Sequence, residues 1–163
     1  MSAWFWCRAL PQVILRLVEA FCALVAFSCA AAANKAAQAL DVYNWEEFLI
    51  ATGVIALIFD ISFLIVYSRG DRLPPSWAAR VPVIELTLSA IWTLFFFIAS
   101  IGVATLPKQY EGIPIIEPWY YGNARGAAAF GFFSCFAWGA SSYLAFRRFR
   151  SGSPSGPMQY SDI

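Results

Sequence analysis

Apolar residues gather in four long stretches, 10–33, 48–67, 81–106 and 126–146, separated by more polar segments. The last sits within ARGAAAFGFFSCFAWGASSYLAFRRFR, residues 124–150. That segment is too apolar for a surface helix of a soluble domain and too long for a buried strand. It stops on Arg147, Arg148 and Arg150. Each stretch reaches the ~20 residues that cross ~30 Å of hydrocarbon at 1.5 Å per residue. Lipid offers no hydrogen bonds to the backbone, so each stretch must satisfy its own amides as a helix. The connections 34–47, 68–80 and 107–125 leave no room for a folded domain, and no internal repeat is visible. The pattern predicts an all-α integral membrane four-helix bundle over residues 10–150. Residues 1–9 form a short N-terminal segment, and the Ser/Gly/Pro-rich residues 151–163 a disordered tail.

Basic residues set the expected orientation. Arg8 precedes the first span, Arg69, Arg72 and Arg80 lie in the second connection, and Arg147, Arg148 and Arg150 follow the fourth span. The other side holds only Lys35, Lys108 and Arg125. The positive-inside rule therefore places both termini in the cytoplasm. Trp4, Trp6, Trp45, Trp77 and the run Trp119-Tyr120-Tyr121 fall where interfacial aromatic belts belong. A cleaved signal peptide is the competing reading of the N-terminus, but Arg16 and Glu19 interrupt what would be its uncharged core.

Composition narrows the chemistry. Of 163 residues, 60% are hydrophobic and 13% charged, and the formal net charge is +1. Clustered basic surface of the kind that binds nucleic acid is missing. The sequence has no histidine, and its four cysteines form no CxxC pair, so no metal site or disulfide framework is indicated. No cofactor and no enzymatic activity are expected.

Four ionisable residues interrupt the spans: Arg16 and Glu19 in the first, Asp60 in the second, Glu85 in the third. The alternating topology puts all four in the same, cytoplasmic half of the bilayer. A charge at the centre of a span costs ~2.5–3.5 kcal/mol on insertion scales, so these groups should face one another or water. Arg16 with Glu85 is the economical pair, and Glu19 lies one turn from Arg16. Three carboxyl groups around one guanidinium leave at least one, Asp60 as the deepest, to be protonated or hydrated. Two readings stand: an interhelical clamp, or a proton or ion pathway. The outer halves of the helices, such as FSCAAAA and FFFIASIGVATL, continue no polar path.

In the fourth span Ala127, Gly131, Cys135 and Gly139 recur every four residues, a small stripe that lets helices approach closely in lipid. It serves either packing within the chain or an oligomer interface. The final residues, Tyr160-Ser161-Asp162-Ile163, fit the tyrosine-x-x-bulky pattern read by clathrin adaptors. As a free carboxyl terminus ending on Ser161, Asp162 and Ile163 they also fit a PDZ ligand. Cys7, just before the first span, is a candidate palmitoylation site.

Three stretches carry a family resemblance. PQVILRLVEAF, residues 11–21, contains Arg16. ELTLSAIWTLFFF, residues 85–97, contains Glu85, Ser89 and Trp92. ARGAAAFGFFSCFAWGASSYLAFRRFRSG, residues 124–152, carries Phe130, Phe132, Phe133, Ser134 and Trp138 in order before its basic end. Together they resemble the synaptogyrin family of tetraspan vesicle proteins, within the wider MARVEL group that includes the synaptophysins. The first connection lacks the cysteines usual in that family, and Asp60 has no clear counterpart there. The resemblance implies a non-enzymatic multi-pass protein of cytoplasmic or synaptic-type vesicle membranes, cycling through the plasma membrane. It would act in vesicle trafficking and exocytosis. Its expected partners are the lipid bilayer, like or other vesicle membrane proteins in an oligomer, and an adaptor or PDZ protein at the tail. The intramembrane acids leave a small proton-coupled transporter or channel as the alternative. An adhesive tetraspan is disfavoured, because a short cysteine-free first connection cannot build a disulfide-stapled outer sheet.

Overall fold

The computed structural model describes residues 3–37, 45–68, 80–109 and 118–150, with side chains over 11–35, 45–68, 80–107 and 119–150. The described residues form four helices: α1 Ala3–Ala37, α2 Trp45–Ser68, α3 Val81–Gln109 and α4 Pro118–Arg150. All four are long and apolar enough to cross a membrane. Cys7 and the tail residues Tyr160, Ser161 and Ile163 lie outside the described side chains.

The helices outrun the apolar stretches that predict them. α1 and α4 span about 50 Å at 1.5 Å per residue, beyond the ~30 Å hydrocarbon thickness. The excess of α4 lies at its start, where Pro118, pre-set for the first helical turn, leads Trp119, Tyr120 and Tyr121 into the helix. Tyr120 is consequently buried in the bundle rather than standing in an interfacial belt, while Trp119 remains exposed.

Each helix packs on its neighbour in sequence, and α1 closes the ring against α4. One line of buried positions on each helix follows a common rule, with Cys22, Thr52, Ser100, Gly102, Ala128 and Ala137 buried beside these lines. α1 buries Arg16, Glu19, Ala23, Ala26, Ala30 and Ala33. α2 buries Glu46, Leu49, Gly53, Ala56, Asp60, Phe63 and Tyr67. α3 buries Glu85, Ser89, Trp92, Phe96, Ala99, Val103 and Leu106. α4 buries Tyr120, Ala124, Ala127, Gly131, Ser134, Trp138, Ser141 and Ala145. Every series alternates steps of three and four. That 3.5-residue period matches left-handed, knobs-into-holes packing.

The distribution of polarity is inverted relative to a water-soluble bundle. The inward lines are largely alanine, glycine, serine and charged residues. The outward faces carry Ile14, Leu17 and Phe21 on α1, Ile58, Ile61 and Ile65 on α2, Leu94, Phe97 and Ile101 on α3, and Phe133 and Phe136 on α4, the last 72% exposed. In lipid nothing drives large apolar side chains inward. Small residues instead bring backbones close enough for dispersion to act. Gly53 meets α1, where a Cβ would lie 2.9 Å from Phe27 Cβ. Gly102 lies under the Trp45 ring, and a Cβ at Gly131 would collide with Ser100 Oγ. At Gly53 and Gly102 glycine is required by closeness and not by backbone angle, and at Gly131 an added methyl meets the Ser100 hydroxyl in its present rotamer.

Candidate functional site

The four helices bring Arg16, Glu19, Asp60 and Glu85 together at one end of the bundle. All four side chains are buried. Arg16 Nη1 donates to Glu19 Oε2 at 2.6 Å and reaches Asp60 Oδ1 at 3.4 Å. Its Nη2 donates to Glu85 Oε1 at 2.9 Å and Ser89 Oγ at 3.3 Å. The guanidinium plane lies between two rings, 4.5 Å from the centroid of Phe63 and 4.8 Å from that of Trp138. One arginine on α1 therefore touches α2, α3 and α4 as well as its own helix. Charge-assisted hydrogen bonds in a low dielectric, flanked by π faces, are among the strongest polar contacts a core can hold.

Three further residues complete the cluster, none of them evident as members from sequence. Tyr67 donates its hydroxyl hydrogen to Glu85 Oε1. Ser141 Oγ donates to Glu19 Oε1 at 2.5 Å. Arg148 Nη2 donates to Glu85 Oε2 at 2.6 Å, and its side chain is 18% exposed. Arg148 entered the sequence argument only as one of three exit charges. The alternating step of three and four would have found it, because Trp138, Ser141, Ala145 and Arg148 continue one line. Phe63 and Tyr67 likewise extend the line of Asp60.

Glu85 is thus held by three donors on three helices and Glu19 by two. Asp60 is the poorly served member, with Oδ1 at the long contact to Arg16 and Oδ2 buried without a hydrogen-bond partner. One turn further along α3 and α4, Trp92 and Trp138 meet edge to face at 6.4 Å, and Phe59 lies 5.7 Å from Trp92. These rings close the cluster on the side of the bundle's middle. Beyond them the core is mostly apolar, with Leu49, Phe96, Ala99, Val103, Ala124 and Ala127.

A second polar contact lies at the opposite end. The Tyr120 hydroxyl donates to Glu46 Oε1 at 2.9 Å, and Glu46 Oε2 is buried without a hydrogen-bond partner. Glu46 sits in the first turn of α2, where the helix dipole favours a carboxylate.

The small stripe of α4 divides. Ala127 and Gly131 are buried, the latter against Ser100 and Leu49, whereas Cys135 and Gly139 are only half-buried. A strict spacing of four drifts around a helix, and the core line instead runs Ala127, Gly131, Ser134, Trp138. Gly139 still faces α3, with Thr93 Cγ2 3.8 Å from where its Cβ would lie. Gly131 and Gly139 thus spend their closeness on neighbours within the chain.

Residues 8–144 match the MARVEL membrane-associating domain. The chain is 31% identical to synaptogyrin-2 of Mus musculus, over 93% of its own length and 71% of that relative. It is 30% identical to synaptogyrin-2 of Homo sapiens over the same shares, and 29% identical to synaptogyrin-1 of Homo sapiens over 89% of the chain and 66% of the relative. The matched span includes the whole charge cluster except Arg148, which lies four residues past its end. Four membrane-length helices, an inward-facing polar line and these matches agree: the chain belongs to the synaptogyrin family of MARVEL-domain tetraspan membrane proteins.

Proposed function

We propose that this protein is a non-enzymatic organiser of vesicle membranes, whose four-helix body is locked by the Arg16 cluster and whose tail directs its traffic. The observation that carries the clamp is the saturation of Arg16: one guanidinium engages carboxylates on three helices and rings on two. A transport route needs polar groups that continue across the membrane, whereas the Trp92–Trp138 contact interrupts them here. Both termini are taken as cytoplasmic, with the Arg16 end of the bundle facing inward. On that side Tyr160, Ser161 and Ile163 would present a sorting or PDZ-type signal, and Cys7 an acyl anchor. Assembly with like or other vesicle membrane proteins, and passage through the plasma membrane, belong to the same reading.

The test is location. A fluorescently tagged chain should collect on small cytoplasmic vesicles. Loss of residues 160–163 should shift it toward the plasma membrane. A full-length chain spread evenly over the endoplasmic reticulum while folded would refute the vesicle role, and indifference to the truncation would refute the signal.

One observation favours a second reading, proton-coupled transport. Asp60 Oδ2 is buried without a hydrogen-bond partner, and three carboxyl groups face two guanidiniums. Purified protein in liposomes decides between them. Proton flux that Asp60→Asn abolishes supports transport, whereas no flux from either folded form excludes it.

A further inference from the structure

The inner line of α4 ends by turning Arg148 into the bundle, and this leaves Arg147 and Arg150 on a different face. Tyr143, Phe146, Arg147 and Arg150 are spaced i, i+3, i+4, i+7 and line one recess of about 410 Å³. The recess opens outward: Tyr143 is 61% exposed, and Arg147 and Arg150 are exposed as well. Arg147 lies over the Tyr143 ring at 6.0 Å, which holds its guanidinium on this face.

We propose that this recess binds the headgroup of an anionic phospholipid. Three donors converge on one face: the Tyr143 hydroxyl and two guanidiniums. None of them has a hydrogen-bond or ion-pair acceptor among the described residues. The described carboxylates lie elsewhere. Glu19, Asp60 and Glu85 are in the buried cluster, and Glu46 and Glu47 are in the first turn of α2 at the far end. Among the described residues the face is therefore cationic without a counter-charge.

Its position selects a lipid rather than a free anion. Along the same side of α4, toward the middle of the span, lie Phe133 and Phe136, both strongly exposed, and then the small exposed Ala140 before Tyr143. An acyl chain can lie along this apolar column while its phosphate sits at Arg147 and Arg150, where planar guanidiniums bind phosphate oxygens in pairs. The aromatic-then-basic order is that of a membrane-to-water boundary. Juxtamembrane basic residues gain about a fivefold preference each from an anionic leaflet.

The experiment uses the full chain in detergent micelles doped with spin-labelled phosphatidylserine or phosphatidylcholine. Retention of each lipid by the protein is read from the immobilised fraction. Phosphatidylserine should be retained well above phosphatidylcholine. Arg147→Gln with Arg150→Gln should lower that preference roughly twenty-fivefold at most, two fivefold factors combined, and Arg147→Lys with Arg150→Lys should keep the part that charge alone supplies while losing the paired contacts of the guanidiniums. Equal retention of the two lipids by the unaltered chain overturns the proposal, and so does a preference that survives the double glutamine variant in folded protein. Displacement of phosphatidylserine by millimolar inorganic phosphate would identify a free-anion site and overturn the lipid assignment. If the glutamine variant fails to fold, Tyr143→Ala carries the test. It should weaken phosphatidylserine retention severalfold with phosphatidylcholine unchanged, and equal retention by that variant and the unaltered chain sinks the site.

Discussion

Removing Arg16 is the most informative single perturbation. Arg16→Met keeps much of the side-chain volume and loses the charge, so cavity formation contributes little. What remains is a set of buried carboxylates deprived of a partner. Breaking a buried pair by deleting one member costs roughly 3–5 kcal/mol, because the desolvated charge left behind is uncompensated. Against a typical total of about 5–15 kcal/mol that is a large fraction. The structure further predicts which second change relieves the loss. Without Arg16, Glu85 keeps the donors Tyr67 and Arg148, whereas Glu19 keeps the donor Ser141 with the Asp60 carboxyl beside it. Glu19→Gln should therefore rescue Arg16→Met better than Glu85→Gln does, since the latter would also strand Arg148. Double-mutant cycles isolate each coupling. Unfolding in mixed micelles, followed by tryptophan fluorescence, gives the free energies, and Trp138 against the guanidinium is one of the seven reporters. An Arg16–Glu85 coupling indistinguishable from zero, or an Arg16→Met loss below about 1 kcal/mol, would refute the clamp, whereas a coupling to Glu85 exceeding that to Glu19 would overturn only the predicted order of rescue.

Gly131→Ala should cost about 1–3 kcal/mol, the usual penalty of overpacking, because the new methyl collides with Ser100 Oγ. Ser100→Ala should restore most of it, since Ser100 Cβ itself stands 3.4 Å away, and thermal unfolding in detergent reads both. Tyr120→Phe removes the described donor to Glu46 and should destabilise by roughly 1–3 kcal/mol, while Glu46→Gln in that background should recover part of the loss. Asp60→Asn should leave stability within about 1 kcal/mol or raise it, because this carboxyl has one long contact and one unpartnered oxygen and its burial as an ion is costly. A loss above about 2 kcal/mol in the same unfolding assay would mean that Asp60 is a full member of the ion network.

The fold was legible because lipid leaves the backbone one solution per apolar stretch, and the number and order of helices follow from hydropathy alone. The cluster was legible in part for the same reason: Arg16, Glu19, Asp60 and Glu85 stand out only because the residues around them are apolar. Tyr67, Ser141 and Arg148 do not stand out, since tyrosine, serine and terminal arginine are ordinary at a membrane boundary. What assigns them is rotation about the helix axis. Four helices in sustained contact need a seam repeating every seven residues, not every four, and an error of half a residue per turn accumulates. Over Ala127 to Gly139 that drift is enough to carry a strict four-step stripe off the core line, which is why Cys135 and Gly139 are only half-buried while Ser134 and Trp138 are enclosed. The same phase separates three neighbouring arginines. Arg148 falls on the seam and is drawn to Glu85, while Arg147 and Arg150 fall off it and stand exposed on the outside of the bundle. A run of like charges that counts as one signal for topology thus performs two physical tasks. One closes an ion network inside the bundle, and the other leaves a cationic face to the lipid outside it.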